Sequence, residues 1–152
     1  MHPFTSTTPP RLAVLLGYAG LLPFIGGALG AWLTPPGWRP WVLYASLDYA
    51  AVILAFMGAI HWGLAMREER NATAAQQQLA LSVVPALFGW VAVASGLPAL
   101  LAVPLLMLAF GLLYLADLRA VQLGLAPAWY PTLRKPLTLI VLFCLAVTWS
   151  AL

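Results

Sequence analysis

The stretch Trp41–Arg70, WVLYASLDYAAVILAFMGAIHWGLAMREER, decides the fold. Roughly 20 apolar residues at about 1.5 Å each cover a hydrocarbon core of about 30 Å, and this run is long enough to do so. It reads as a membrane span. Inside it stand Asp48 and His61, and an ionisable group in lipid costs at least a few kcal/mol unless it faces protein or water. Other helices are therefore expected to shelter both. The thirteen steps from Asp48 to His61, at about 100° each, put the two side chains about 140° apart around the helix, so they do not pair with each other. A helix that needs contacts on two faces is expected at the centre of a bundle.

Composition points the same way. The chain has 152 residues, of which 63% are hydrophobic and 7% charged, where a soluble domain carries about 25% charged residues. Lipid is the solvent that fits. The net charge of +3 comes from seven Lys and Arg scattered along the chain, without the basic stripe that nucleic acid requires. Cys144 is the one cysteine and sits in an apolar run, which excludes an intrachain disulfide and a thiolate metal cluster. Residues 1–11, MHPFTSTTPPR, read as a disordered tail. They lack the basic start and short apolar core of a secretory signal, so no cleavage is expected.

Working outward from Trp41, five spans fit: residues 12–33, 41–66, 75–95, 97–118 and 136–152. The fold class is all-α, a polytopic membrane protein with its five helices in one bundle. In the first span Pro23 should kink the helix, and Gly26 and Gly30 should let another backbone approach. Asn71 or Thr73 can cap the third span, and Ser95-Gly96-Leu97-Pro98 reads as a tight hairpin. The segment 119–135, RAVQLGLAPAWYPTLRK, is too polar to span and too apolar to float free. It is expected to lie among lipid headgroups, with Pro136 opening the fifth span. With five spans, Arg11, Arg67, Arg70, Arg119, Arg134 and Lys135 share one side and Arg39 stands alone on the other. The N-terminus is therefore expected in the cytoplasm and the C-terminus outside. The phrases LLPF and VVPALF in spans one and three, and LAFMG and LAFG in spans two and four, echo each other as a pair of repeated hairpins would.

Few residues can carry chemistry. Asp48 has a functional reading as a proton or ion site and a structural one as a buried hydrogen-bonding group, with Ala51, Ala55 and Ala59 below it as a packing face. A haem between two helices wants two axial His at one depth, and the second histidine, His2, is in the tail. That leaves His61 as a single contact to haem or quinone, as half of a site shared by two copies, or as a hydrogen bond to a neighbouring helix. HExxH is absent, and one embedded His with one Cys is too few ligands for zinc. Ser95 and His61 lie at opposite ends of their spans, which disfavours intramembrane serine proteolysis. No catalytic residue and no metal site is assigned. The spans do carry His61, Trp62, Asp117, Trp129, Tyr130 and Arg134 to one membrane face, with Arg134 the expected partner of Asp117. That group is the candidate ligand-binding or structural polar cluster, and the segment after Trp129 would be its lid.

The phrases LGYAGLLPF at 16–24, YAAVILAFMGAIHWG at 49–63, SVVPALFGW at 82–90 and WYPTLRKPLT at 129–138 together resemble the membrane family that includes transmembrane protein 69, a domain of unknown function. The likeness runs nearly the whole chain, in order. It implies a small multi-span protein of the bacterial inner membrane, or of the mitochondrial inner membrane in eukaryotes, and brings no established activity and no assigned catalytic residues; the cofactor is left unknown. The run PPGWRPWVLY at 35–44 with seven Trp is similar to the tryptophan-rich sensory or translocator family, which binds porphyrins and sterols. The expectation is a binding, assembly or accessory protein of an energy-transducing membrane more than an enzyme. Its partners would be the bilayer and either another membrane protein or a second copy. The alternatives are a small transporter or proton pathway through Asp48, and a tetrapyrrole or quinone binder.

Overall fold

The structure, a computed structural model, describes residues 7–68 and 71–152. The start of the expected tail with His2, and the residues Glu69 and Arg70, lie outside the described residues. What is described is all helix and connection: α1 Arg11–Ala19, α2 Leu22–Leu33, α3 Arg39–Arg67, α4 Ala72–Ala94, α5 Ala99–Gln122 and α6 Tyr130–Trp149. With α1 and α2 taken together, five helical stretches are long and apolar enough to cross a membrane.

Proline and side-chain caps set the starts. Pro23, Pro40 and Pro131 sit in the first turns of α2, α3 and α6, where a missing N–H costs nothing because that donor has no helical partner anyway. Asn71 caps α4, its side-chain oxygen accepting the Ala74 N–H at 3.0 Å. The first span departs from regular helix just ahead of Pro23, with Gly20 and Leu21 still at right-handed helical dihedrals. Pro23 cannot donate to the preceding turn, the helix stops after Ala19, and the Gly20 carbonyl accepts the Tyr49 hydroxyl of α3 at 3.0 Å. Pro85, by contrast, lies within an unbroken α4, so the two proline phrases that echo in sequence behave differently.

Two boundaries correct the sequence reading. α5 runs on past residue 118 to Gln122, where Gly124 takes φ +72°. Gly124 N–H then bonds the Val121 carbonyl and Leu125 N–H the Ala120 carbonyl, the paired closure that a left-handed glycine makes at a helix end. α6 starts at Tyr130 on Pro131, with Pro136 already inside it. The expected surface segment 119–135 is therefore mostly helix, and only 123–129 connects. Trp129 through Lys135 do not form a separate lid; Tyr130 and Arg134 belong to the buried face of α6.

The helices close into a ring in chain order, α2 beside α3, α3 beside α4, α4 beside α5, α5 beside α6 and α6 back against α2, with α3 also touching α5 across it. The core fills the ring with Leu47 and Leu54 of α3, Val103, Leu106 and Phe110 of α5, and Val141 and Leu145 of α6. The tightest backbone approach is between α3 and α4. A side-chain carbon on Gly58 would come within 2.6 Å of the Ser82 carbonyl, and one on Gly89 within 3.1 Å of Ala51 Cα. Small residues let helices pack this closely without a hydrophobic drive between them. On α2 the close neighbours of α3 are Gly27 and Gly30, facing Ser46 and Val42, while Gly26 meets open space. Gly30 makes the expected close approach, and its companion is Gly27 instead of Gly26.

Candidate functional site

The Gly58–Ser82 approach fixes what stands one turn further along. α3 and α4 are antiparallel neighbours, so His61, three residues on from Gly58, meets Gln78, four residues before Ser82. His61 Nδ1 is hydrogen-bonded to the Gln78 side-chain amide. The other ring nitrogen, Nε2, donates to Asp117 Oδ1 of α5 at 3.1 Å, and Arg134 Nε of α6 donates to Asp117 Oδ2 at 2.6 Å. Four helices are thereby joined through four side chains. His61 is 0% exposed, Asp117 2%, Gln78 4% and Arg134 5%.

Each member lies on the buried stripe of its own helix: His61 with Leu54, Gly58 and Ala65, Gln78 with Ser82 and Pro85, Asp117 with Leu113 and Ala120, and Arg134 with Tyr130 and Thr138. Helical spacing thus delivers all four to one layer. Both carboxylate oxygens of Asp117 are used, one by an imidazole and one by a guanidinium. A buried ion pair persists where further hydrogen bonds satisfy its remaining atoms, and His61 does that for Asp117. A side-chain amide carries both an acceptor and donors. Gln78 can therefore satisfy His61 Nδ1 whether the ring is neutral or protonated, while Nε2–H stays on Asp117.

Among the described residues, three buried polar atoms of α6 have no hydrogen-bond partner: Tyr130 Oη, Arg134 Nη2 and Thr138 Oγ1. They sit four residues apart on one stripe. Tyr130 packs edge-on against Trp129, ring centres 5.9 Å apart, and against Ala120 and Ala126.

Of the residues singled out from sequence, the structure brings His61, Asp117, Tyr130 and Arg134 together, with Trp129 half-buried beside them. Trp62 is not among them. It is 48% exposed, because a step of one residue turns about 100° around the helix and carries it outward. Asp48 is a larger correction. Its carboxylate is exposed on the outer surface of α3 and carries no hydrogen bond or ion pair among the described residues. Of the alanines below it, Ala51 is buried against Gly89, Ala55 is half-buried and Ala59 is exposed.

Sequence reasoning missed Gln78 and Thr138. Gln76, Gln77 and Gln78 are consecutive, so their side chains spread over much of the helix circumference, and the register Gln78–Ser82–Pro85–Gly89 was the signal that one of them faces inward. As a cofactor site the layer is closed to axial ligation, since both ring nitrogens of His61 are engaged. Six of the seven tryptophans are exposed.

A ring of five membrane-spanning stretches, locked at one end by a buried His–Gln–Asp–Arg network, defines a small polytopic helical membrane protein. The family described as "Protein of unknown function (DUF3429)" matches residues 9–150, and the chain belongs to it. Transmembrane protein 69 of Xenopus tropicalis is 35% identical over 136 residues, 90% of this chain and 53% of its own length. Transmembrane protein 69 of Mus musculus is 30% identical over 139 residues, 91% of this chain and 56% of its own. The chain thus spans about half the length of the curated relatives it matches. No solved structure matches it.

Proposed function

We propose that the protein is a binding or assembly factor of an energy-transducing inner membrane, on which another transmembrane helix packs against the outer face of α3. One observation carries this reading: Asp48, exposed and unpartnered, on an apolar stripe with Trp41, Ala45, Val52 and Phe56. Asp48 lies about 10 Å along the helix from Trp41, a depth at which a short carboxylate side chain does not reach the headgroups, and lipid offers it no donor. A helix from another chain, either a second copy or a different protein, supplies one. The inner membrane is part of this proposal, and the six-to-one division of Lys and Arg supports a cytoplasmic basic end.

The transporter reading is less supported, because Asp48 stands outside the bundle and about 20 Å along α3 from His61. The tetrapyrrole or quinone reading is less supported, because six of the seven tryptophans are exposed and both ring nitrogens of His61 are engaged. Photo-reactive residues at Val52 and Phe56, compared with Leu101 and Leu108 on α5, test the proposal in native membranes. Discrete protein adducts are expected from the α3 positions and not from α5, and Asp48→Leu should abolish them. Lipid adducts alone from both helices would end the assembly reading. Reporters fused after Gly124 and after Leu152 should report opposite sides, the first cytoplasmic.

A further inference from the structure

A second feature, independent of the α3 face, runs along the gap between α4 and α5. His61 reaches from α3 to Gln78 on one and Asp117 on the other, so its ring stands as a strut between them. On the outer side of that strut the two helices present small residues to each other, Ala80, Ala109 and Ala116. The gap is a chain of clefts that share their lining. An apolar one of about 70 Å³ lies among Leu81, Val84, Phe88, Ala109 and Ala116. One of about 560 Å³ shares Leu81 and Ala116 with it and adds Gln77 and Arg119. A third, of about 400 Å³, shares Gln77 and Arg119 and opens among Glu68, Asn71 and Thr73. From Gln77 to Phe88 the groove is about 17 Å long at about 1.5 Å per residue, close to half of a hydrocarbon core of about 30 Å. It spans one leaflet, polar at the mouth and apolar at depth.

The mouth carries charges of both signs. Arg119 is exposed, and its guanidinium forms no ion pair or hydrogen bond among the described residues. Glu68 faces the same cleft, and accepting the Asn71 N–H at 2.9 Å is one of its interactions; a carboxylate has lone pairs for several donors at once. A cation beside an anion, above a leaflet-deep slot, complements a zwitterionic head on an acyl chain.

We infer that the α4–α5 groove binds one phospholipid with a phosphoethanolamine head. Its phosphate meets Arg119 and the Gln77 amide, its ammonium meets Glu68, and one acyl chain lies between Ala80, Ala116 and Phe88. Choline lacks the N–H donors that Glu68 can accept, and glycerol lacks the cation.

Native mass spectrometry of the full chain in detergent, titrated with equal amounts of phosphatidylethanolamine, phosphatidylcholine and phosphatidylglycerol, tests this. One phosphatidylethanolamine should be retained in preference to the other two. Arg119→Gln should weaken it roughly tenfold, the size of one charge-assisted hydrogen bond. Glu68→Gln should remove the preference for ethanolamine while leaving phospholipid bound. Ala116→Phe should block the slot, with Ala80→Phe as a second variant from the opposite wall should the first fail to fold. Equal retention of all three lipids, unchanged by Arg119→Gln and Glu68→Gln, would mean annular lipid only and overturn the proposal. Preference for phosphatidylglycerol, or full binding in a folded Ala116→Phe or Ala80→Phe protein, would overturn it as well.

Discussion

Asp48 and Asp117 are both carboxylates set among apolar residues on long helices, and they have opposite surroundings. Asp117 is buried, with one oxygen on His61 and the other on Arg134. Asp48 is exposed and accepts nothing among the described residues. The difference lies in what the neighbouring helices carry at each depth. Near the basic end α3, α4 and α6 each place a polar side chain on the inward stripe, so one layer becomes self-sufficient. Near the other end the inward stripe is Leu47, Ala50 and Leu54, with nothing for a carboxylate to bond, and Asp48 sits on the far side of the helix. The indoles tie that end instead, Trp149 Nε1 donating to the Leu100 carbonyl at 3.0 Å and Trp32 Nε1 to that of Val147 at 3.2 Å. The polar groups at the buried end satisfy one another within this chain, and the carboxylate at the other end is open to a second.

The sharpest way to break that contrast is to empty the buried end. Asp117→Leu strands the Arg134 guanidinium without a counter-charge, and breaking a buried pair from one side costs about 3–5 kcal/mol. A large fall in accumulation and in the thermal midpoint by fluorescence-detected size exclusion is expected. Asp117→Leu combined with Arg134→Met should recover much of it, because replacing both partners by apolar groups is often neutral. A double variant as poor as the single would mean that the carboxylate holds something besides the arginine.

The geometry that delivers His61 to Gln78 can be attacked next. Gly58→Val forces the α3–α4 crossing apart, and overpacking of this kind costs about 1–3 kcal/mol. The loss should be near the top of that range, because the neighbour at 2.6 Å is the Ser82 backbone carbonyl rather than a side chain that can turn away. His61→Leu is expected to cost less than either change. It leaves the Gln78 amide without its partner, about 1–3 kcal/mol, but Asp117 keeps Arg134. The same thermal assay orders the three. His61→Leu falling as far as Asp117→Leu would show that the histidine, not the arginine, neutralises the layer.

How much of this was legible in the sequence depends on which physical signal was strong. Five spans follow from composition, and the Asp117–Arg134 pair follows from two unlike charges delivered to one end by alternating helices. The inward glutamine was marked only by its helical spacing to Ser82, Pro85 and Gly89, and the Gly58–Ser82 approach decides which side chain it meets. The end of α5 depended on Gly124 adopting a left-handed conformation, which an amphiphilic stretch conceals. Asp48 was misjudged for a related reason. α3 is apolar on nearly every side, with Leu47 buried and Val52 exposed, so no hydrophobic period marks its core face. The cost of a carboxylate in lipid was real, but shelter within this chain was only one of its solutions.

The smallest effect on stability is therefore expected from Asp48→Leu, and it says the most about function. Nothing in the described chain bonds Asp48, so its loss leaves no stranded partner, and the change should lie within about 0.5 kcal/mol of the parent. Leucine at this depth also removes the cost of an uncompensated polar group, so the isolated protein in detergent should melt at the same temperature or slightly higher. In the membrane the direction reverses if another helix donates to Asp48, since that donor would then be left unpaired against an apolar side chain, and the complex should weaken by about 1–3 kcal/mol. Blue-native electrophoresis of gently solubilised membranes separates the two effects, because a variant that folds normally yet migrates only as the free chain has lost a partner and not a fold. Were Asp48→Leu to destabilise the purified chain as strongly as His61→Leu does, the carboxylate would have a partner within this chain, and the contrast between the two ends of α3 would fall.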